Sequence, residues 1–207
     1  VHPDPRQVLV VGLGGGATAG AASILPNTRT TVVELLPPVV RAARWFEVAN
    51  RGLLDNPNVD FRIADGRYFL KTTRERFDVI TADLLLPYQA GAASLYSADY
   101  YALAKAALKP GGIMVQWIPP DTEFQYRLML RSFLSVFPHV TFWLDGGIVI
   151  GSDTPLRLDP GAFAVKLAYP SSQAALVEAG FESFEALTAR YLTDRSRVEA
   201  YVGAGPM

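Results

Sequence analysis

The chain has 207 residues, half of them hydrophobic and 19% charged, which is enough apolar material for one substantial core and too much for a disordered polymer. Nineteen basic residues against twenty acidic ones leave a net charge of −1, so the cationic surplus that grips nucleic-acid phosphates is absent and nucleic acid is excluded as a partner. Without cysteine there is no disulfide framework, cysteine zinc site or thiol nucleophile. The two histidines form no cluster with metal-ligand spacing, so no metal is expected.

From residue 7 to residue 108 the chain alternates short apolar runs with helical patterns, the rhythm of βα units around a parallel sheet. Residues 8–12 read as a buried strand closed by glycine, and 17–25 as a helix of small residues stopped at Pro26-Asn27. Residues 30–34 form the second strand. The segment 37–50 starts on proline and spaces Val39, Val40, Ala43 and Phe46 helically, predicting one continuous helix. Strands follow at 59–64 and 77–83, with a short helix from Arg67 between them. A long interruption at 84–96 precedes a helix at 97–108, which Ser97 caps and Lys109 to Gly112 end.

The fifth strand is 113–118, then a helix at 123–136. Residues 140–144 and 148–151 flank Asp145-Gly146-Gly147 as a hairpin. The expectation is an α/β, doubly wound, mostly parallel sheet of seven strands ending in that antiparallel hairpin. Residues 1–153 would make a ligand-binding domain and 154–207 a helical extension poor in bulky apolar residues. No apolar run reaches the length of a membrane span and residues 1–7 carry no signal pattern, so this segment is expected to be cytoplasmic and free of membrane contact.

In open parallel sheets ligands bind outside the carboxyl ends of the strands. After the first strand stands Gly12-Leu13-Gly14-Gly15-Gly16-Ala17, whose glycines let backbone N–H groups approach a ligand; alone, the motif reads also as a packing turn. After the second stands Glu34, 18 residues past Gly16, near the spacing at which a carboxylate accepts from both hydroxyls of an adenosine ribose. After the third stand Asp65 and Gly66, an acceptor for the adenine amine with room for the ring, or equally a plain helix cap. After the fourth stands Asp83 beside Leu84, Leu85 and Leu86, a carboxylate that an apolar setting would leave costly unless it serves a cleft. Pro87 and Tyr88 continue a loop suited to a pocket wall.

These features fit any adenosine-containing ligand. The third-strand Asp-Gly pair and the closing hairpin favour an S-adenosyl compound over a dinucleotide. His2 and His139 read as solvated and turn residues. Tyr100, Tyr101, Trp117 and Trp143 read as core aromatics as readily as ligand walls.

The segments VLVVGLGGGATAG, VVELLPPVVRAAR, ADGRYFL, FDVITADLLLP, SLYSADYYALAKAALKPGGIMVQW and IVIGSD together resemble the spermidine/spermine synthase family of polyamine aminopropyltransferases, over residues 8 to 153. The likeness is nearest to bacterial spermidine-synthase-like domains, some of them fused to membrane transporter-like segments. It implies the class I methyltransferase fold and transfer of an aminopropyl group from decarboxylated S-adenosylmethionine to a polyamine. Gly12, Gly14, Gly15, Gly16, Glu34, Asp65 and Gly66 would hold decarboxylated S-adenosylmethionine, S-adenosylmethionine or methylthioadenosine. Asp83 would take the proton of the attacking amine, Leu86, Tyr88 and Gln116 would line the acceptor pocket, and the protein would be a homodimer, with no metal.

Two positions depart from the family pattern. Gly15 and Leu86 stand where the family has carboxylates that contact amines. The family's β-rich N-terminal domain is also absent from this sequence. Methyl transfer from intact S-adenosylmethionine, and a nucleoside-binding sensor or scaffold without catalysis, therefore stay open as alternatives.

Overall fold

In the computed structural model, which describes residues 2–25, 27–82, 87–89 and 91–203, eight strands form one sheet. Strand β1 (Gln7–Val11) lies inside it, with β2 (Arg29–Glu34) and then β3 (Val59–Ile63) on one side and β4 (Phe77–Ala82) and then β5 (Leu108–Trp117) on the other. These five strands are parallel. The chain winds outward in one direction from β1 and in the other from β4, which makes the carboxyl ends of that pair the switch point where such sheets bind ligands.

The expected hairpin forms from β6 (His139–Trp143) and β7 (Ile148–Ser152), and β7 inserts between β5 and β6, antiparallel to both. An eighth strand, β8 (Tyr191–Asp194), pairs antiparallel with β6, where the sequence predicts only helix. Its residues are half-buried or exposed, so no in-out alternation marks it in the sequence. Its backbone pairing and the edge-on contact of Tyr191 with Trp143, 5.4 Å between ring centroids, hold it.

Alternation along the strands builds two apolar layers. Val8, Val10 and Val32 face one side, where α1 (Ala17–Ala22), α2 (Pro37–Ala42) and α3 (Glu47–Asn50) lie, with Ala19, Ala43 and Leu53 in the same layer. Leu9, Val11, Ile80 and Met114 face the other, covered by α4 (Gly66–Thr72), α5 (Ala98–Ala107) and α6 (Glu123–Leu134). The single helix expected over 37–50 is instead α2, a 3₁₀ turn at Ala43–Phe46, and α3. Three residues per turn rotate Phe46 off the buried stripe, and it ends half exposed.

The C-terminal segment carries α7 (Pro160–Leu167), α8 (Pro170–Glu178), α9 (Phe184–Thr188) and α10 (Arg195–Val202). Leu156, Leu158 and Leu187 cover Ile113, Trp143 and Ile150 on one face of the sheet. On the other, α10 sends Val198 and Val202 into the main core, while the Arg195 guanidinium donates to the carbonyls of Leu134 (2.9 Å) and Phe137 (2.5 Å). This segment therefore adds a strand to the sheet and side chains to its main core.

Candidate nucleoside site

Residues named from the sequence as site residues come together at the carboxyl edge of the sheet to different degrees. Glu34 ends β2 and is 8% exposed. Its Oε2 accepts from the backbone N–H of Leu13 (3.0 Å) and its Oε1 from that of Leu36 (2.8 Å). A carboxylate oxygen has two acceptor sites, so each still has one to offer, and the two N–H groups fix the direction in which it is offered. The first of those bonds also ties the glycine loop to β2. Gly12, Gly14 and Gly16 have φ of 87°, 53° and 88°, the left-handed region that only glycine enters cheaply.

Asn50, a residue the sequence reading passed over, locks this loop from below. It is 1% exposed; its Nδ2 donates to the carbonyls of Gly15 (3.1 Å) and Ala43 (2.7 Å), and its Oδ1 accepts from the N–H of Leu53 (3.3 Å). The signal for it was present: position 50 is two helical turns past Ala43 on the apolar face, where an amide is affordable only with partners.

Asp65 caps α4, its Oδ1 accepting from the N–H of Tyr68 at 2.8 Å, and its side chain is exposed at the rim. A Cβ on Gly66 would lie 2.4 Å from a methyl of Val11, so the missing side chain is what lets α4 start this close to the end of β1. Beside Asp65 a cleft of about 550 Å³ opens between α4 and α5, lined also by Arg67, Tyr68, Lys71 and Asp99. Neither Glu34 nor the glycine loop lines it.

Gln116, fully buried, lies on β5 opposite Ala82 of β4, on the face that carries Met114 and the α5 tyrosines. Its Nε2 donates to the carbonyls of Trp117 (2.9 Å) and Ala82 (3.3 Å), while its Oε1 is buried with no partner among the described residues. The hydroxyls of Tyr100 and Tyr101 are likewise buried without partners among the described residues, and burial pushes both phenols well above their ordinary value. Tyr88 is 67% exposed. Asp83 and Leu86 lie outside the described residues; in the chain Asp83 directly follows Ala82, whose register partners are Val11 and Gln116. Among the described residues no group of acidic or histidine side chains could hold a metal.

Strand order and the glycine loop after β1 together define the class: a doubly wound α/β domain whose switch point falls between β1 and β4, where such sheets bind ligands. The family follows from sequence. A family model described as the spermine/spermidine synthase domain matches residues 1–129, and the chain belongs to that family. A polyamine aminopropyltransferase of Nitrosomonas europaea is 41% identical over 115 residues, covering 55% of this chain and 35% of its own. One from Aeropyrum pernix is 31% identical over 188 residues, covering 82% of this chain and 59% of its own. The chain thus spans roughly a third to three fifths of the length of these relatives.

Among solved structures, a spermidine synthase in complex with the transition-state analogue AdoDATO superposes with a TM-score of 0.78 at 21% identity, over 97% of this chain and 70% of its own. Human methyltransferase-like protein 13 in complex with SAH gives 0.62 at 22% identity, over 84% of this chain and 81% of its own. Both establish the fold: the methyltransferase-like architecture that the family resemblance implies.

Proposed function

We propose that this chain binds an S-adenosyl ligand at the carboxyl edge of its sheet and catalyses transfer of an aminopropyl group from decarboxylated S-adenosylmethionine to a polyamine. The observation that carries the reading is Glu34, buried at the end of β2 with one backbone N–H on each oxygen, poised for a vicinal diol. Family membership and the relatives named polyamine aminopropyltransferase support the reaction type. In this reading the ribose hydroxyls donate to Glu34, the adenine lies toward Asp65 at the β3 side, and the sulfur end runs the other way, over the glycine loop toward β4.

The chemistry is a displacement at the carbon next to the sulfonium. A neutral amine of the acceptor supplies its lone pair to that carbon, the carbon–sulfur bond breaks with its electrons passing to sulfur, and the leaving group is methylthioadenosine. The nitrogen, now cationic, gives a proton to the Asp83 carboxylate, which acts as general base. Gln116 would offer its unpartnered Oε1 to an acceptor N–H. Methylthioadenosine, decarboxylated and intact S-adenosylmethionine all contain the nucleoside that Glu34 would hold, so all three are ligand candidates. The assay is incubation of the purified chain with labelled decarboxylated S-adenosylmethionine and a panel of di- and triamines. Expected is one amine extended by one aminopropyl unit for each methylthioadenosine released. Tight binding with neither product would contradict catalysis and leave a nucleoside-binding domain.

A further inference from the structure

The run from α2 to α3 turns two large apolar side chains away from the protein. Ala43 and Asn50 are buried, and between them the 3₁₀ turn and the start of α3 leave Trp45 87% and Val48 96% exposed. Phe46, half exposed, lies between them in the chain. Single exposed apolar residues are ordinary, but a bare tryptophan and a bare valine three positions apart share one face and mark a contact surface. At the roughly 150–250 Å² that an aromatic side chain can bury, Trp45 and Phe46 together offer on the order of 300 Å², and Val48 adds to it.

Charge is divided across this face. The Arg41 and Arg44 guanidinium groups are exposed and make no ion pair or hydrogen bond among the described residues. On the other flank, Nη2 of Arg51 lies 2.5 Å from Oε2 of Glu178, which sets the carboxyl end of α8 beside α3. Val177 is half exposed there, and the chain then passes Glu182 and Glu185, both exposed and without an ion pair among the described residues.

The face therefore runs from cationic through apolar to anionic. Such a surface complements its own copy turned about a twofold axis, because the arginines of each copy then face the acids of the other at both ends. A partner of one charge sign, such as an anionic lipid surface, would be repelled by Glu178, Glu182 and Glu185. A stable pair needs roughly 800 Å² from each copy, so the apolar centre supplies a large share and the charged flanks form the polar rim.

We propose that two copies of this chain associate through this face, with Trp45 and Val48 at its centre and Arg41 and Arg44 of each copy turned toward Glu182 and Glu185 of the other. Trp45 is the anchor, a large and rigid side chain of the type that dominates interface energies. The pairing does not depend on which ligand Glu34 holds.

Sedimentation equilibrium of the purified chain from about 1 to 100 μM, the range in which a modest interface fills, tests it. The wild type should reach the mass of a dimer. Trp45→Glu and Val48→Glu should each weaken pairing by about thirtyfold or more, the effect of losing an interface anchor. Both side chains are solvated in the single chain, so both variants should melt as folded monomers in circular dichroism. The charge pattern is read by two double variants, Arg41→Glu with Arg44→Glu and Glu182→Arg with Glu185→Arg. Each alone should be monomeric, and an equimolar mixture should pair again. A wild type that stays monomeric throughout the range would overturn the proposal, as would a dimer that Trp45→Glu leaves intact or a mixture no more paired than its components.

Discussion

The two ends of the sheet employ their carboxylates in opposite ways. At the amino end of the strands, Asp78 of β4 accepts on Oδ2 from the backbone N–H groups of Arg6 (2.9 Å) and Gln7 (2.8 Å) and from the Lys109 ammonium (2.8 Å), joining the starts of β1, β4 and β5. Burial works to raise its pKa, but the Lys109 ammonium and the two N–H groups outweigh it and hold the carboxyl below its ordinary 3.8. At the carboxyl end, Glu34 takes one N–H on each oxygen and keeps a further acceptor site on each. The lesson is that burial and hydrogen bonding alone do not separate a brace from a binding group. Position at the switch point does.

That contrast can be broken from either side. The largest effect is expected at Asp83: Asp83→Ala should lower turnover by about a hundredfold or more in single-turnover kinetics, the usual worth of a positioned base. An unchanged rate would remove Asp83 from the chemistry. Next, Glu34→Ala should weaken methylthioadenosine binding by about ten- to a hundredfold, the cost of hydrogen bonds to a charged acceptor, in calorimetric titration. Asp78→Asn should do the reverse, lowering unfolding stability by about 1–3 kcal/mol in urea denaturation with nucleoside affinity intact. If the two substitutions produced the same pattern, the distinction between the two ends would be lost.

Smaller effects sharpen it. Asn50→Ala frees the Gly15 and Ala43 carbonyls and the Leu53 N–H, and should reduce affinity by about tenfold with a stability loss of about 1 kcal/mol. The smallest is in acid. Because the folded pKa of Asp78 is depressed, its contribution is fully present above the ordinary value of 3.8 and is lost as pH falls through the lower folded value. Urea midpoints measured below about pH 4 should therefore fall less steeply for Asp78→Asn than for the wild type.

Much of this architecture is legible in the residues. Val8 to Val11 announces a buried parallel strand, and Glu34 stands at the distance from the loop that a βα unit imposes. The hairpin turn is visible in Asp145-Gly146-Gly147. Apart from Asn50, what is not legible in the residues has no local signature. β8 is an edge strand without an alternating buried face, held by backbone pairing to residues about 50 positions earlier. The break at Ala43–Phe46 depends on how α3 must turn to bring Asn50 under the glycine loop, a tertiary demand that overrides helical spacing. At Gly66 only the packed structure shows that an added side chain would meet Val11.

A crystal structure of the chain with methylthioadenosine tests the account most directly. The account predicts the ribose hydroxyls on the Glu34 carboxylate and the thioether over Gly15. A nucleoside lodged instead in the cleft between α4 and α5, against Arg67, Tyr68 and Lys71, would contradict it.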